Sequence, residues 1–470
     1  MTITLTDYTP CIIKDKHGIP ERLDIWRTIT WIRENVPVRT ILETGEILFY
    51  RNGIYVPGGE QYISRILVNA FGGINKHNEA PIYNKHVKSE ILTQIRDSTY
   101  TSIEEFDSDL EIINTKSGLY NWIYGTLEKH TPDYYSVIQI PVNVDPEKTC
   151  PNIDKMINTV CDEKNRMKCY EFIAYCLYRK YPIQKGFILF GPGGTGKSYF
   201  LDIVQQLLGS SNCSNVSMQD LGSDRFASSD LYMKMANICG DLGSKVMYQV
   251  EDLKKLTSGK DVVRAQKKGE KAFEFVNFAK LLFASNVLPV SKDDTTGFYR
   301  RFEIIPFMHI FSQDEIEDQD FLDSLTSDDE LSGLFNKVVK ILPELLERKV
   351  FSNQLGSAYV QAMYKDRSQS EESFFEQFVQ EMPGQYTPKS TLVMYFSEYC
   401  TVLGMPKVSG NSLGRWIIKN ISWIQKRAYH DGKDGHMTNY TTTINGKSVA
   451  AWPDTCFDLR AFIEWKRSRK

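Results

Sequence analysis

The chain has 470 residues, 41% of them hydrophobic and 24% charged, the balance of an ordinary globular protein with about two to four domains. No apolar run approaches the roughly 20 residues of a membrane helix, and the first residues lack the regions of a signal peptide, so a cytoplasmic protein without membrane contact is expected. Nine scattered cysteines, an odd count, do not suggest a disulfide framework, and the seven histidines form no ligand pair at helical spacing, so no structural metal is expected. With a net charge of −3, any nucleic-acid binding must rest on local basic clusters.

In chain order, ILFYRNGIYV (47–56) predicts a hairpin with Asn52-Gly53 in a type I′ turn. Helices are predicted over 61–71 and 85–96, and EEFDSDLE (104–111) leads into a less regular region. These elements compose a small α+β N-terminal domain, 1–130. Residues 131–183 are expected as a helical connecting segment, with a helix over 166–183. GFILF (186–190) opens an α/β region, 184–310, as a buried strand. The acidic run DEIEDQDFLDSLTSDDE (314–330) reads as a solvated helix face or linker within a helical lid, 311–365. DRSQSEES (366–373) reads as a linker. The last hundred residues, 370–470, predict helices and then a strand pair, with a wing-like turn at HDGKDGHMTN (430–439).

The strand GFILF runs directly into GPGGTGKS: Gly191, Pro192, Gly193, Gly194, Thr195, Gly196, Lys197 and Ser198. This is the full G-x-x-x-x-G-K-[ST] phosphate-binding pattern, followed by the helical YFLDIVQQLL. Glycines let backbone N–H groups turn onto phosphate oxygens, and the helix start adds its positive dipole end. Lys197 is expected on the β- and γ-phosphates of ATP and Ser198 on Mg²⁺. MANICGDL (235–242) is an apolar strand ending in Asp241, a candidate for Mg²⁺ and the attacking water. KLLFASN ends a second strand in Asn286, whose amide can orient that water. GFYRRFEIIPF places Arg300 and Arg301 before a third strand, where an arginine can stabilise transition-state charge.

Two basic clusters stand out. VVRAQKKGEKAFEF (262–275) predicts a hairpin tipped by Lys267, Lys268 and Lys271, with Gly269 in the turn. The C-terminal region carries Lys407, Arg415, Lys419, Lys426, Arg427 and the closing WKRSRK, a set suited to duplex or fork binding, with a plain protein-docking domain as the alternative.

The order of HTPDYYSVIQIPVNVDPEKTCP, GPGGTGKS, MANICGDL, KKLTSGKDVVRAQKKGEKAFEF, AKLLFASNVLPV and GFYRRFEIIPF resembles superfamily 3 helicases of the phage, plasmid and poxvirus primase-helicase branch. The resemblance covers roughly 130–310. The C-terminal segment separately resembles a winged-helix domain in the size and order of its elements; the family resemblance implies an α/β, P-loop AAA+-like ATPase assembling as a homo-hexamer around single-stranded or forked DNA. It implies Walker A at Gly191–Ser198, Walker B at Asp241, sensor 1 at Asn286, an arginine finger at Arg300 or Arg301, and a channel hairpin at Lys267-Lys268. Many members carry two adjacent acids at Walker B; here the pair is Gly240-Asp241. No primase pattern stands in the first 130 residues, so a separate primase or polymerase is an expected partner, and the place of action a virus, plasmid or integrated element's replication site. A P-loop ATPase that loads or remodels proteins without unwinding, and a non-enzymatic origin-binding protein, are the competing readings.

Overall fold

The computed structural model describes residues 6–76, 80–224, 226–240, 242, 251–269, 271–291, 296–312, 318–405, 409–431, 440–444 and 446–469. They form a mixed α/β structure with several separate sheets. The chain divides into two compact units, Met1–Pro146 with Leu207–Asn212, and Glu147–Gln206 with Cys213–Lys470.

In the first unit a four-stranded sheet holds, in order, Ile54–Val56, Ile47–Arg51, Val38–Ile41 and Tyr100–Thr101. The hairpin forms as the sequence predicts: Arg51 pairs with Ile54, and Asn52 and Gly53 both have positive φ, 51° and 91°. Helices Ile25–Asn35, Gly59–Phe71 and Lys85–Ser98 bury Ile29, Ile32, Ile63, Leu67, Ile91 and Ile95 in one core. The region expected to be irregular holds a three-stranded meander, Ile112–Thr115, Gly118–Asn121 and Thr126–Glu128.

Residues 131–146 correct the expected helical connection, for they contain no helix. The buried carboxylate of Asp107 accepts from Ser136 Oγ and from the amides of Val137 and Ile138, while Ile140 N donates to Asn114 O. Backbone groups spent on these partners are unavailable to a helix. The helices of this stretch are Pro151–Val160 and Glu163–Cys176, the second starting and ending earlier than the predicted 166–183.

The second unit is built on a five-stranded parallel sheet: Gly186–Phe190, Cys213–Ser214, Ala236–Cys239, Lys280–Ser285 and Phe302–Pro306. Numbered in chain order, these strands lie 2-3-4-1-5 across the sheet. The first strand is therefore interior, between the fourth and the fifth, and every residue of GFILF is buried. Such continuous apolar strands belong to parallel sheets covered on both faces. Between the third and fourth strands the chain inserts helix Glu251–Leu256 and the antiparallel hairpin Val262–Ala265/Phe273–Val276.

The long helix Asp328–Arg348 locks onto the segment before the sheet. Glu330, in the acidic run, is buried: its carboxylate accepts from the amides of Asn152 and Ile153, capping helix Pro151–Val160. At the other end Arg348 and Ser352 bond the buried Glu171 carboxylate. The predicted linker DRSQSEES is corrected too. It lies in helices Ser357–Ser368 and Ser370–Phe378, and Asp366, Arg367, Ser370 and Ser373 are all buried. Asp366 takes Arg469 at 3.1 Å and Gln377, so the polar residues serve an interior contact with the chain's end.

The final portion runs helix Ser370–Phe378, strand Val379–Pro388, helices Lys389–Val402, Gly410–Asn420 and Ser422–Asp431, strands Thr441–Ile444 and Lys447–Phe457, and helix Leu459–Ser468. The last strand lies between the other two. The turn of the strand pair falls at 445–446, since Ile444 pairs with Lys447. Most of the wing expected at 430–439 lies outside the described residues.

Candidate functional site

Parallel strands all end on one edge of the sheet, and there the chain gathers its predicted phosphate site. Phe190 is in register with Ser285 and Pro306, so the P-loop leaves the sheet between the loops that carry Asn286 and Phe307. Gly191 N donates to Ser285 O, Phe307 N to Phe190 O, and Phe311 N to Gly194 O. Two positions require glycine. A Cβ on Gly191 would lie 1.9 Å from Phe307 O. Gly196 has φ of 82°, and a Cβ there would meet the Phe311 ring and a Val160 methyl at about 3 Å.

Thr195 is buried and its hydroxyl donates to Pro192 O, pinning the loop across its own width. Helix Lys197–Leu208 starts immediately afterwards. The Lys197 ammonium is half-buried and donates to Gly191 O and Pro192 O, each at 2.7 Å, and to Thr195 Oγ1 at 3.2 Å. Burial pulls its pKa down to about 8, with no carboxylate contributing to the shift. A desolvated cation held by neutral acceptors at a helix N-terminus is suited to an anion. Ser198, in the first helical turn, is exposed. Beside Gly196, Met156, Tyr199, Phe311, Phe321 and Leu322, together with Lys155, Thr159 and Asp318, line a cavity of about 70 Å³. The cradle and its cation are suited to a phosphate group, and Ser198 is exposed beside them.

Asn286 follows Ser285 directly and is exposed on the P-loop edge. Asp241 lies outside the described residues; its strand ends at Cys239. The two arginines part company. Arg300 is exposed, while Arg301 is buried, donates from Nη1 to Thr257 O at 3.1 Å and leaves Nε without a partner. Burial first, then Arg300 beside it, lowers the Arg301 pKa.

The lysine hairpin is present but its turn is not tight. Ala265 pairs with Phe273, leaving a seven-residue loop, 266–272. Lys267, Lys268 and Lys271 are all exposed, and Gly269 has φ of 84°. Val263 and Ala265 are buried, Arg264 and Glu274 exposed, so one face docks on the domain and the other is free. Phe273 and Phe275 pack with Tyr232 at 4.9 and 5.3 Å, and Asn277 ties the hairpin's base to Leu256 O.

Among the buried charged groups that escaped the sequence reading, Glu303, Lys280 and Arg367 stand near the sheet. Glu303 is fully buried between Lys168 at 3.2 Å and Lys185 at 2.8 Å. Lys280 is fully buried, donates to Tyr178 O and Phe278 O, and lies 4.5 and 5.2 Å from the Tyr175 and Tyr181 ring centres. Arg367 is buried 5.1 Å from the Phe190 ring centre. The signal for the first two was a lone charge in an otherwise apolar strand, FEIIP and KLLFAS, which a buried strand tolerates only with a partner.

Residues 58–162 match the family model described as D5 N terminal like. Residues 189–301 match a family of unknown function, DUF5906. No curated protein matches the chain. Among solved structures, the apo NrS-1 C-terminal region (305–718) is similar at TM-score 0.45 and 16% identity, covering 91% of this chain and 98% of that one. An A form of the same region gives TM-score 0.43 and 16% identity, with 92% and 100% covered. No helix among the described residues is long and apolar enough to cross a membrane.

Proposed function

We propose that this chain is an ATP-driven DNA helicase of the phage-type primase-helicase kind, an AAA+-like motor that encircles a single strand as a ring. One observation carries the reading. A complete phosphate cradle sits at the carboxyl end of the interior strand of a 2-3-4-1-5 parallel sheet, and an exposed lysine-tipped hairpin is inserted between the third and fourth strands. A small-molecule kinase has no use for such a hairpin.

ATP supplies the transferable phosphoryl group, and Mg²⁺ neutralises charge on it. In this reading Lys197 gives up its carbonyl partners for the phosphates, and Ser198 holds the cation with Asp241. Met156, Phe311 and Phe321 exclude water around the base. Asn286 orients the attacking water. Arg300 is the finger that reaches a neighbouring subunit's phosphate, because Arg301 is committed to Thr257 inside its own subunit. A finger acting in trans needs a head-to-tail interface, and a closed ring, here a hexamer, follows from repeating it. Lys267 and Lys268 grip successive strand phosphates, with Lys271 behind them. The last portion, with its central third strand, is winged-helix-like.

The test is strand displacement of a forked duplex with and without ATP. ATP-dependent displacement that is lost in Lys197→Ala supports the reading. Robust DNA-stimulated hydrolysis without displacement favours the competing reading, a loader or remodeller. For the arginines, Arg300→Ala subunits mixed with Lys197→Ala subunits should recover part of the hydrolysis that neither has alone. Normal turnover by Arg300→Ala rings would remove the finger assignment.

A further inference from the structure

We propose that the groove on the C-terminal portion is a docking site for a short acidic-apolar peptide of a partner protein. The groove, about 610 Å³, lies between helices Lys389–Val402 and Gly410–Asn420 and the strand bearing Trp452. Val393, Ile417, Ile418 and Trp452 line it, and among the described residues the charged ones lining it are Lys389 and Arg415.

Two glycines border the groove. Gly410 and Gly414 lie one turn apart on the same helix face. A Cβ on Gly410 would stand 3.3 Å from a Val393 methyl, and one on Gly414 would stand 3.9 Å from the Trp452 ring. Without side chains there, the helix sits low against its neighbours while Ile418, 38% exposed, stands up beside the opening.

The choice of peptide over nucleic acid follows from chemistry. A strand-binding groove needs a track of cations and open aromatic faces. Here Trp452 is buried and the Lys389 ammonium lies 4.5 Å from its ring centre, covering the one aromatic that could stack. What remains, among the described residues, is a largely apolar trough bounded by two cations and no acid. Leucine or phenylalanine side chains fill such a trough while flanking carboxylates meet Lys389 and Arg415. Arg415 thus leaves the duplex-binding set suggested by sequence.

The experiment is fluorescence anisotropy with the full chain and three probes: a labelled pool of acidic-apolar hexapeptides, the same pool with lysine in place of the acids, and a dT oligonucleotide. The acidic pool should bind. The double variant Lys389→Glu/Arg415→Glu and the single variant Ile418→Asp should each weaken it at least about tenfold, with ATP hydrolysis and melting temperature unchanged. Lys419→Glu, on the same helix but outside the groove, should leave it unchanged. Absent binding at the solubility limit, equal binding of the basic pool, or an equal loss in Lys419→Glu would overturn the proposal. So would competition by the oligonucleotide with the same variant sensitivity. None of these results bears on strand displacement, so the helicase reading stands or falls separately.

Discussion

Two lysines at opposite edges of the central sheet are held in the same way and to different ends. Lys197, on the carboxyl edge, donates to two backbone carbonyls, and so does Lys280, the first residue of its strand on the amino edge. Both are desolvated, with pKa values pulled down to about 8 and about 7. Lys280 is closed over by Tyr175 and Tyr181 and has nowhere to go. Lys197 is half-buried, on a loop whose glycines leave room for a ligand, at the start of a helix. Burial of a cation is thus no mark of function by itself. In the proposed reading, Lys197 differs from Lys280 by an exchangeable set of partners facing open space. The same edge-to-edge contrast holds for Glu303, whose two lysines consume its charge inside the fold.

The largest expected effect lies on the carboxyl edge. Lys197→Ala should reduce ATP hydrolysis by about 100-fold or more, as loss of a transition-state donor does, while the melting temperature barely moves. Turnover near that of the unmodified protein would break the contrast outright. The amino edge should respond in the opposite sense. Glu303→Gln leaves Lys168 and Lys185 buried without a counter-charge, which costs about 3–5 kcal/mol. Denaturant titration reads this loss, and hydrolysis per folded molecule should persist.

The hairpin tests whether motor and grip are separable. Lys267→Ala with Lys268→Ala should spare basal hydrolysis and weaken single-strand binding, lowering the salt slope by about 0.7 per lost contact. Strand displacement and DNA stimulation should fall together. Unchanged displacement would return the loop to an ordinary solvated turn.

The smallest effect concerns pH. The Lys280 pKa is lowered by burial, eased by the Cys176 thiol nearby and deepened by Arg179. Between pH 7 and the ordinary lysine value of 10.5, the unfolded chain holds a proton there that the folded chain has released. Stability from this group therefore rises with pH across that window, by at most about 1.4 kcal/mol per unit. Relative to Lys280→Met, the native protein should gain melting temperature between pH 6.5 and 8.5. A flat difference would show that the tyrosine cage holds the lysine charged.

Local chemistry was sufficient for much of this protein. The Asn52-Gly53 hairpin, the strand-loop-helix of the P-loop and the apolar strands before Asp241 and Asn286 follow from propensities acting over a few residues, so the sequence alone determined them. The tertiary structure decided where polar residues end. DRSQSEES looks like a linker, yet Asp366 and Arg367 are buried because Arg469 and Phe190 reach them from far along the chain. Residues 131–146 forgo a helix because the Asp107 carboxylate takes their amides. Arg300 and Arg301 are indistinguishable in sequence, and only packing against Thr257 turns one inward and leaves the other exposed. In each case the partner lies many residues away, and the free energy of pairing a buried polar group outweighs the local preference that sequence displays.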